Sequence, residues 1–134
     1  MAWLVKTEPG TYSYDDLERE RRAVWDGVRN PQALKNLKAM APGEAVFVYH
    51  TGDEKQVVGR AKVVRAAYPD PKAGKTLVVV DLEAAGRLKA PVSLADLKAE
   101  PAFAESPLVR QGRLSVVPLT AAQVRVLEKR GGPA

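Results

Sequence analysis

Half of the eight aromatic residues lie within the first 25 positions, and the last of these four precedes an unusual polar segment. Trp25 is followed by Asp26-Gly27-Val28-Arg29, and Asn30 then stands before Pro31. Tryptophan offers a flat face on which a planar base can stack, glycine lets backbone approach a ligand, and asparagine carries a donor and an acceptor that match a base edge. The structural alternative is a core tryptophan beside a helix-capping asparagine.

The single histidine, His50, ends an apolar run and stands directly before Thr51. Side chains at the junction of a strand and a loop often carry function. His50 could act as a general base for Ser13 or Ser115, which would make the protein a hydrolase. The sequence contains no Gly-x-Ser-x-Gly elbow. We therefore expect His50 to be a hydrogen-bonded structural residue.

Basic residues at two positions could contact phosphate. Lys6 and Glu8 are two residues apart, so they point the same way if the first strand continues through them. They could pair with each other or flank a pocket. Arg113 begins the last predicted strand, in the most basic third of the chain, and could bind phosphate or be solvated. No P-loop, dinucleotide fingerprint or EF-hand motif is present.

The composition excludes several functional classes. The chain has 134 residues, no cysteine and one histidine, which excludes a disulfide scaffold, a thiol nucleophile and a multi-histidine metal site. The net charge of +5 fits either nucleic-acid binding or ordinary solubility. No run approaches the ~20 apolar residues of a membrane span, and the N-terminus lacks a signal-peptide pattern. We expect a cytoplasmic protein, and the ten prolines favour a heat-adapted source.

Apolar patterning predicts five strands, at residues 3–6, 45–49, 57–64, 77–83 and 113–117. Helices are predicted to begin after four capping residues, Ser13, Asn30, Ser93 and Thr120. The Pro- and Gly-containing segment 68–75 is predicted to be a loop between two strands. Because the strands cluster in the middle of the chain with helices around them, we predict an α+β fold with a small curved sheet or barrel.

Several short motifs occur in one order along the chain, and together they resemble the EVE domain family. They are Trp3-Leu-Val-Lys6-x-Glu8-Pro9, Tyr12-Ser13, Asp16-Leu17, Trp25-Asp-Gly-Val-Arg-Asn30-x-Gln32-Ala33, Gly43, Tyr49-His50 and Arg113-Leu-Ser-Val116. The resemblance runs from residue 3 to about residue 127 and is most specific in the block 25–33. It implies one PUA-like domain over residues 1–134, built as a small mixed β-barrel of five or six strands flanked by helices.

The resemblance also implies a nucleic-acid reader rather than an enzyme. Such a domain accepts a flipped-out modified base, such as methylated or oxidised cytosine, in DNA or RNA, and needs no cofactor or metal. Carried over to this sequence, Trp25 and Trp3 would form aromatic walls, and Ser13 and Asn30 would bond the base edge. The other expected pocket residues are Tyr49, His50, Thr51 and Ser115. The residues expected at phosphate or at the pocket rim are Lys6, Arg29 and Arg113. Thr51 stands where serine is usual in the family, and it adds a methyl group.

Two other functions stay open at this point. One is an ASCH-like enzyme acting on nucleic acids or nucleosides, although Lys6 and Glu8 are too close in sequence to match the Gly-x-Lys-x-x-Glu-x-Arg signature of that group. The other is a protein-interaction module that uses Arg125, Lys129 and Arg130, whose alternative role is to complement the dipole of the last helix. The sequence leaves open which base is bound and whether it lies in DNA or RNA. We expect a monomer without a membrane partner.

Overall fold

Six strands form one mixed sheet in the computed structural model, which describes residues 1–132 except for the side chains at 74 and 75. The strands are β1 (Ala2–Thr7), β2 (Arg22–Trp25), β3 (Ala45–His50), β4 (Gln56–Asp70), β5 (Gly74–Ser93) and β6 (Val116–Leu119). Their order in the sheet is β2-β5-β4-β3-β1-β6, with β1 and β3 parallel and all other neighbours antiparallel. Residues 133–134 of the predicted domain lie outside the described residues.

This architecture confirms the predicted α+β class and the PUA-like arrangement of a small mixed sheet flanked by helices. The sheet is not closed, however, because β2 and β6 are its two edges and do not pair with each other within residues 1–132. The structure thus corrects the expected barrel to an open, curved sheet with a gap between its edge strands.

Four of the five helices in the described residues begin at the predicted capping residues. The five are α1 (Tyr14–Glu20), α2 (Pro31–Ala39), α3 (Leu94–Lys98), α4 (Pro107–Arg110) and α5 (Ala121–Gly131), with a single 3₁₀ turn at Pro101–Phe103. Ser13 and Thr120 form capping boxes, and the side-chain oxygens of Asn30 and Ser93 accept backbone N–H groups of the first turn. Neither α4 nor the 3₁₀ turn was predicted from the sequence. No helix in the described part of the chain has the length and apolar character needed to cross a membrane.

The observed strands differ from the predicted ones at several points. β2 was not predicted at all. β5 continues to Ser93 through Gly86, because shifts in its register with β4 absorb the irregular positions. β4 continues to Asp70, beyond the predicted end at residue 64, and β5 begins at Gly74, so the predicted loop 68–75 is wrong and the turn is confined to residues 71–73. The last strand begins at Val116 rather than at 113 and contains Pro118, which an edge strand tolerates since one row of its N–H groups pairs with no neighbour.

Tyr14 fastens α1 to the sheet. Its side chain is fully buried, and its ring packs so closely on Gly59 of β4 that an ideal Cβ there would lie 2.4 Å from the ring. The hydroxyl donates to the Arg60 carbonyl at 2.6 Å and accepts the Gly86 N–H at 3.1 Å. Since Tyr14 is the first residue of α1, these contacts also fix the preceding segment, residues 11–13.

Candidate nucleic-acid interface

A cleft of about 810 Å³ opens between edge strand β2 and the facing ends of β1 and β6. We call it the seam cleft. The segments that line it are Lys6–Thr7, Thr11–Tyr12, Glu20, Arg22–Val28, Lys72 and Ser115. Small-molecule and cofactor sites usually measure about 300–1,000 Å³. The gap left by the open sheet therefore has room for a nucleobase with part of its sugar-phosphate.

Two aromatic residues form one wall of the seam cleft. Trp25 ends β2, pairs with Val80 of β5 and is only 7% exposed. Tyr12 meets it edge-on, with ring centroids 6.0 Å apart and an interplanar angle of 84°. The Tyr12 hydroxyl donates to Glu20 Oε1 at 2.5 Å. Burial and the neighbouring Glu20 carboxylate raise the pKa of Tyr12, so its hydroxyl stays protonated at neutral pH.

Lys6 and Ser115 also line the cleft, and their backbones are hydrogen-bonded to each other. The Lys6 backbone N–H donates to the Ser115 carbonyl at 2.9 Å, while its Nζ donates to the Gly112 carbonyl at 2.8 Å. Nζ also lies 5.6 Å from the centroid of the Tyr49 ring. Burial lowers the pKa of Lys6. Glu8 does not pair with Lys6; it accepts the Gly10 N–H instead. Lys6 thus lines the cleft without a carboxylate partner within the described residues.

The charges around the cleft are mixed. Arg22 and Lys72 add two cations to Lys6, and Glu20 and Asp26 add two carboxylates. Glu20 is bound to Tyr12, whereas Asp26 is exposed and has no hydrogen bond or ion pair to any other residue that the structure describes. Gly27 follows with a φ of +77°, a left-handed conformation that glycine adopts without strain and that redirects the chain after β2.

The EVE domain family model matches residues 1–130. This chain belongs to the EVE domain family. It is 40% identical over 80 residues to human thymocyte nuclear protein 1, an alignment that covers 51% of this chain and 36% of that protein. The chain thus matches little more than a third of the length of this curated relative.

Solved structures resemble the EVE domain over nearly its whole length. A Rhodopseudomonas palustris protein solved by NMR is 42% identical with a TM-score of 0.91, covering 98% of this chain and 92% of its own. The human THYN1 protein, in complex with DNA containing 5-methylcytosine, is 29% identical with a TM-score of 0.88, covering 99% and 98%. An ASCH protein of Zymomonas mobilis, 13% identical with a TM-score of 0.61 and covering 96% of each chain, shares the fold alone.

Three of the expected site residues of this EVE domain line the seam cleft, namely Trp25, Lys6 and Ser115. The sequence did not predict the other polar and aromatic side chains that line the cleft, chiefly Tyr12 and Asp26. Both lay inside motifs that carried the resemblance. Their position next to predicted site residues could have identified them, since Asp26 directly follows Trp25 and Tyr12 directly precedes Ser13.

Trp3, Tyr49 and His50 lie in the interior of the EVE domain. Trp3 is 2% exposed, and its Nε1–H donates to Glu44 at 2.9 Å. His50 Nε2 accepts the Tyr14 backbone N–H at 3.0 Å, and its Nδ1 lies 2.9 Å from Glu54 Oε1. Both ring nitrogens of His50 are therefore engaged within the protein, which agrees with its interpretation as a structural residue. The expectation that Trp3, Tyr49 and His50 line the base pocket does not hold for the seam cleft, whose wall includes none of them within the described residues.

The remaining expected residues lie outside the wall of the seam cleft in the described part of the chain. Ser13 and Asn30 cap α1 and α2. Thr51 Oγ1 donates to the Thr7 carbonyl at 3.4 Å, joining the end of β3 to β1. Arg29 and Arg113 are exposed, and Arg113 precedes β6 in a turn rather than in a strand.

Proposed function

We propose that this EVE domain is a nucleic-acid reader that takes a flipped modified cytosine, foremost 5-methylcytosine in DNA, into the seam cleft. The observation that carries the proposal is the similarity to human THYN1, whose solved complex contains 5-methylcytosine DNA and whose fold this chain matches over 99% of its length. The seam cleft supports it with an aromatic wall, three cations and a volume suited to a nucleotide.

The energies involved are compatible with this function. Flipping a base out of a duplex costs a few kcal/mol, and less in a single strand. Stacking on one aromatic side chain returns about 1–3 kcal/mol per base. Lys6, Arg22 and Lys72 supply the attraction for phosphate. With only these three cations at the cleft, we expect affinity to be modest and to fall as salt increases.

RNA as an alternative ligand, the monomeric state and the cytoplasmic location stay predictions.

The test is fluorescence anisotropy of labelled oligonucleotides that differ at one central position, 5-methylcytosine or unmodified cytosine, at low salt. Trp25→Ala should lower affinity about 5- to 150-fold, the equivalent of one lost stacking contact. Trp3→Phe is the matched control, because it alters the interior tryptophan and leaves the seam cleft intact. Circular dichroism melts establish that each variant is folded.

Two results would contradict the proposal. The first is a wild-type protein that binds the methylated and unmethylated oligonucleotides equally or not at all. The second is a folded Trp25→Ala variant that binds as tightly as the wild type.

A further inference from the structure

Asp26 is the feature of the seam cleft that base stacking leaves unexplained. It is exposed at the end of edge strand β2, beside Trp25, and no other residue in the described range 1–132 hydrogen-bonds or pairs with its carboxylate. The second carboxylate in the cleft, Glu20, already accepts the Tyr12 hydroxyl. A carboxylate repels DNA phosphates, so a nucleic-acid ligand must offer Asp26 a hydrogen-bond donor to offset that repulsion.

The backbone of β2 presents donors on the same side. The Ala84 N–H donates to the Arg21 carbonyl at 2.8 Å, and the register pairs Ala23 with Leu82 and Trp25 with Val80. In an antiparallel ladder, hydrogen-bonded residue pairs alternate with pairs that exchange no hydrogen bond. Ala23 and Trp25 therefore bond to β5, whereas the N–H and C=O groups of Val24 point away from β5. Val24 lines the cleft and is 50% exposed.

These groups complement the hydrogen-bonding edge of cytosine. Cytosine carries an amino group at C4, which donates, and ring N3 and O2, which accept; carboxylate side chains accept from that amino group. Thymine shares the pyrimidine skeleton and the C5 methyl group of 5-methylcytosine, but it carries the acceptor O4 in place of the C4 amino group, and its N3 carries a hydrogen. A carboxylate that accepts a hydrogen bond from the amino group of cytosine therefore meets a second acceptor, O4, in thymine and is repelled by it.

We propose that Asp26 is the specificity-determining residue of the cleft and selects 5-methylcytosine over thymine by accepting from the C4 amino group. The proposal rests on the proposed function, since it names how the same cleft distinguishes its base. The Val24 N–H, on the outward edge of β2, supplies a donor for the acceptors of the same base.

The test measures a ratio, the affinity for an oligonucleotide with 5-methylcytosine divided by that for the same oligonucleotide with thymine. One specific base contact corresponds to about a 5- to 150-fold preference. Asp26→Asn should reduce this ratio at least about fivefold, because an amide can turn its NH₂ towards thymine O4. Asp26→Ala should weaken binding to 5-methylcytosine by a similar factor while leaving binding to thymine unchanged or tighter.

Asp53→Asn is the matched control. It makes the same charge change at an exposed turn that does not belong to the cleft wall in the described residues, so the ratio should stay at the wild-type value. An unchanged ratio in both Asp26 variants would overturn the inference, as would a wild type that binds the two oligonucleotides equally. A wild type that binds neither overturns the proposed function itself, so the two failures are distinguishable.

Discussion

Replacing Gly59 with alanine tests whether Tyr14 holds α1 on the sheet as the structure indicates. A Cβ at this position would lie 2.4 Å from two carbons of the Tyr14 ring, about 1 Å inside the closest comfortable carbon–carbon separation of roughly 3.5 Å. The ring has to move, and its hydroxyl cannot keep both the 2.6 Å bond to the Arg60 carbonyl and the 3.1 Å bond from the Gly86 N–H.

The expected loss of stability follows from these contacts. Overpacking a well-packed core costs about 1–3 kcal/mol, and each lost hydrogen bond costs about 0.5–1.5 kcal/mol. Gly59→Ala should therefore lower the free energy of unfolding by about 1.5–6 kcal/mol, for the loss of one or both bonds, measured by urea denaturation. Gly112→Ala is the matched control, because no heavy atom lies within 4 Å of its added Cβ.

A double-mutant cycle tests whether the Tyr14 ring causes the loss of stability in Gly59→Ala. In a Tyr14→Ala background the ring is gone, so adding Gly59→Ala should cost less than about 1 kcal/mol. The reasoning fails if Gly59→Ala costs no more than Gly112→Ala, or if its cost is the same with and without the tyrosine ring.

Two further stability predictions concern hydrogen bonds that side chains form with distant parts of the fold. His50→Ala leaves the Tyr14 N–H without its acceptor and should cost about 1–3 kcal/mol; His50→Gln, whose amide oxygen can accept that bond, should recover part of the loss in thermal melts, and equal destabilisation by both variants would argue against the bond. Burial raises the pKa of Glu44, but hydrogen bonds from Trp3, from the Ala41 N–H and from the N-terminal ammonium outweigh it and hold that pKa below its ordinary value of 4.5. The stability contributed by Glu44 is thus complete above pH 4.5 and is lost as pH falls through the lower pKa of the folded state. Glu44→Gln should flatten the fall in unfolding free energy over that pH range, and an unchanged slope would show that other carboxylates cause it.

The sequence predicted the local features of this fold well, because a cap depends on residues within one turn. Ser13, Asn30, Ser93 and Thr120 all cap helices as expected. The sequence did not predict β2. The four residues of this strand include only a short apolar stretch, and they become a strand by pairing with β5, which is distant in sequence. Trp25 was identified from its neighbours in sequence, but the meeting of Trp25 with Tyr12 and Lys6 depends on the open sheet, and no local pattern encodes that gap.

The polar residues expected at the site from the sequence differ from those that line the seam cleft in what they already bind. The Asn30 side-chain oxygen accepts two backbone N–H groups of α2, and Ser13 exchanges bonds with Asp16 in its capping box. Removing such a cap costs typically about 1 kcal/mol, so redirecting these oxygens to a base would offset much of what the new bond gained. Asp26 and the outward backbone edge of Val24 carry no such cost, because within the described residues nothing binds them. These exposed groups exchange a bond to water for a bond to the ligand, a net gain of about 0.5–1.5 kcal/mol for each bond and more for a charged group, without breaking a cap. Under the proposed function, recognition of the base therefore falls to the β2 edge rather than to the capping residues.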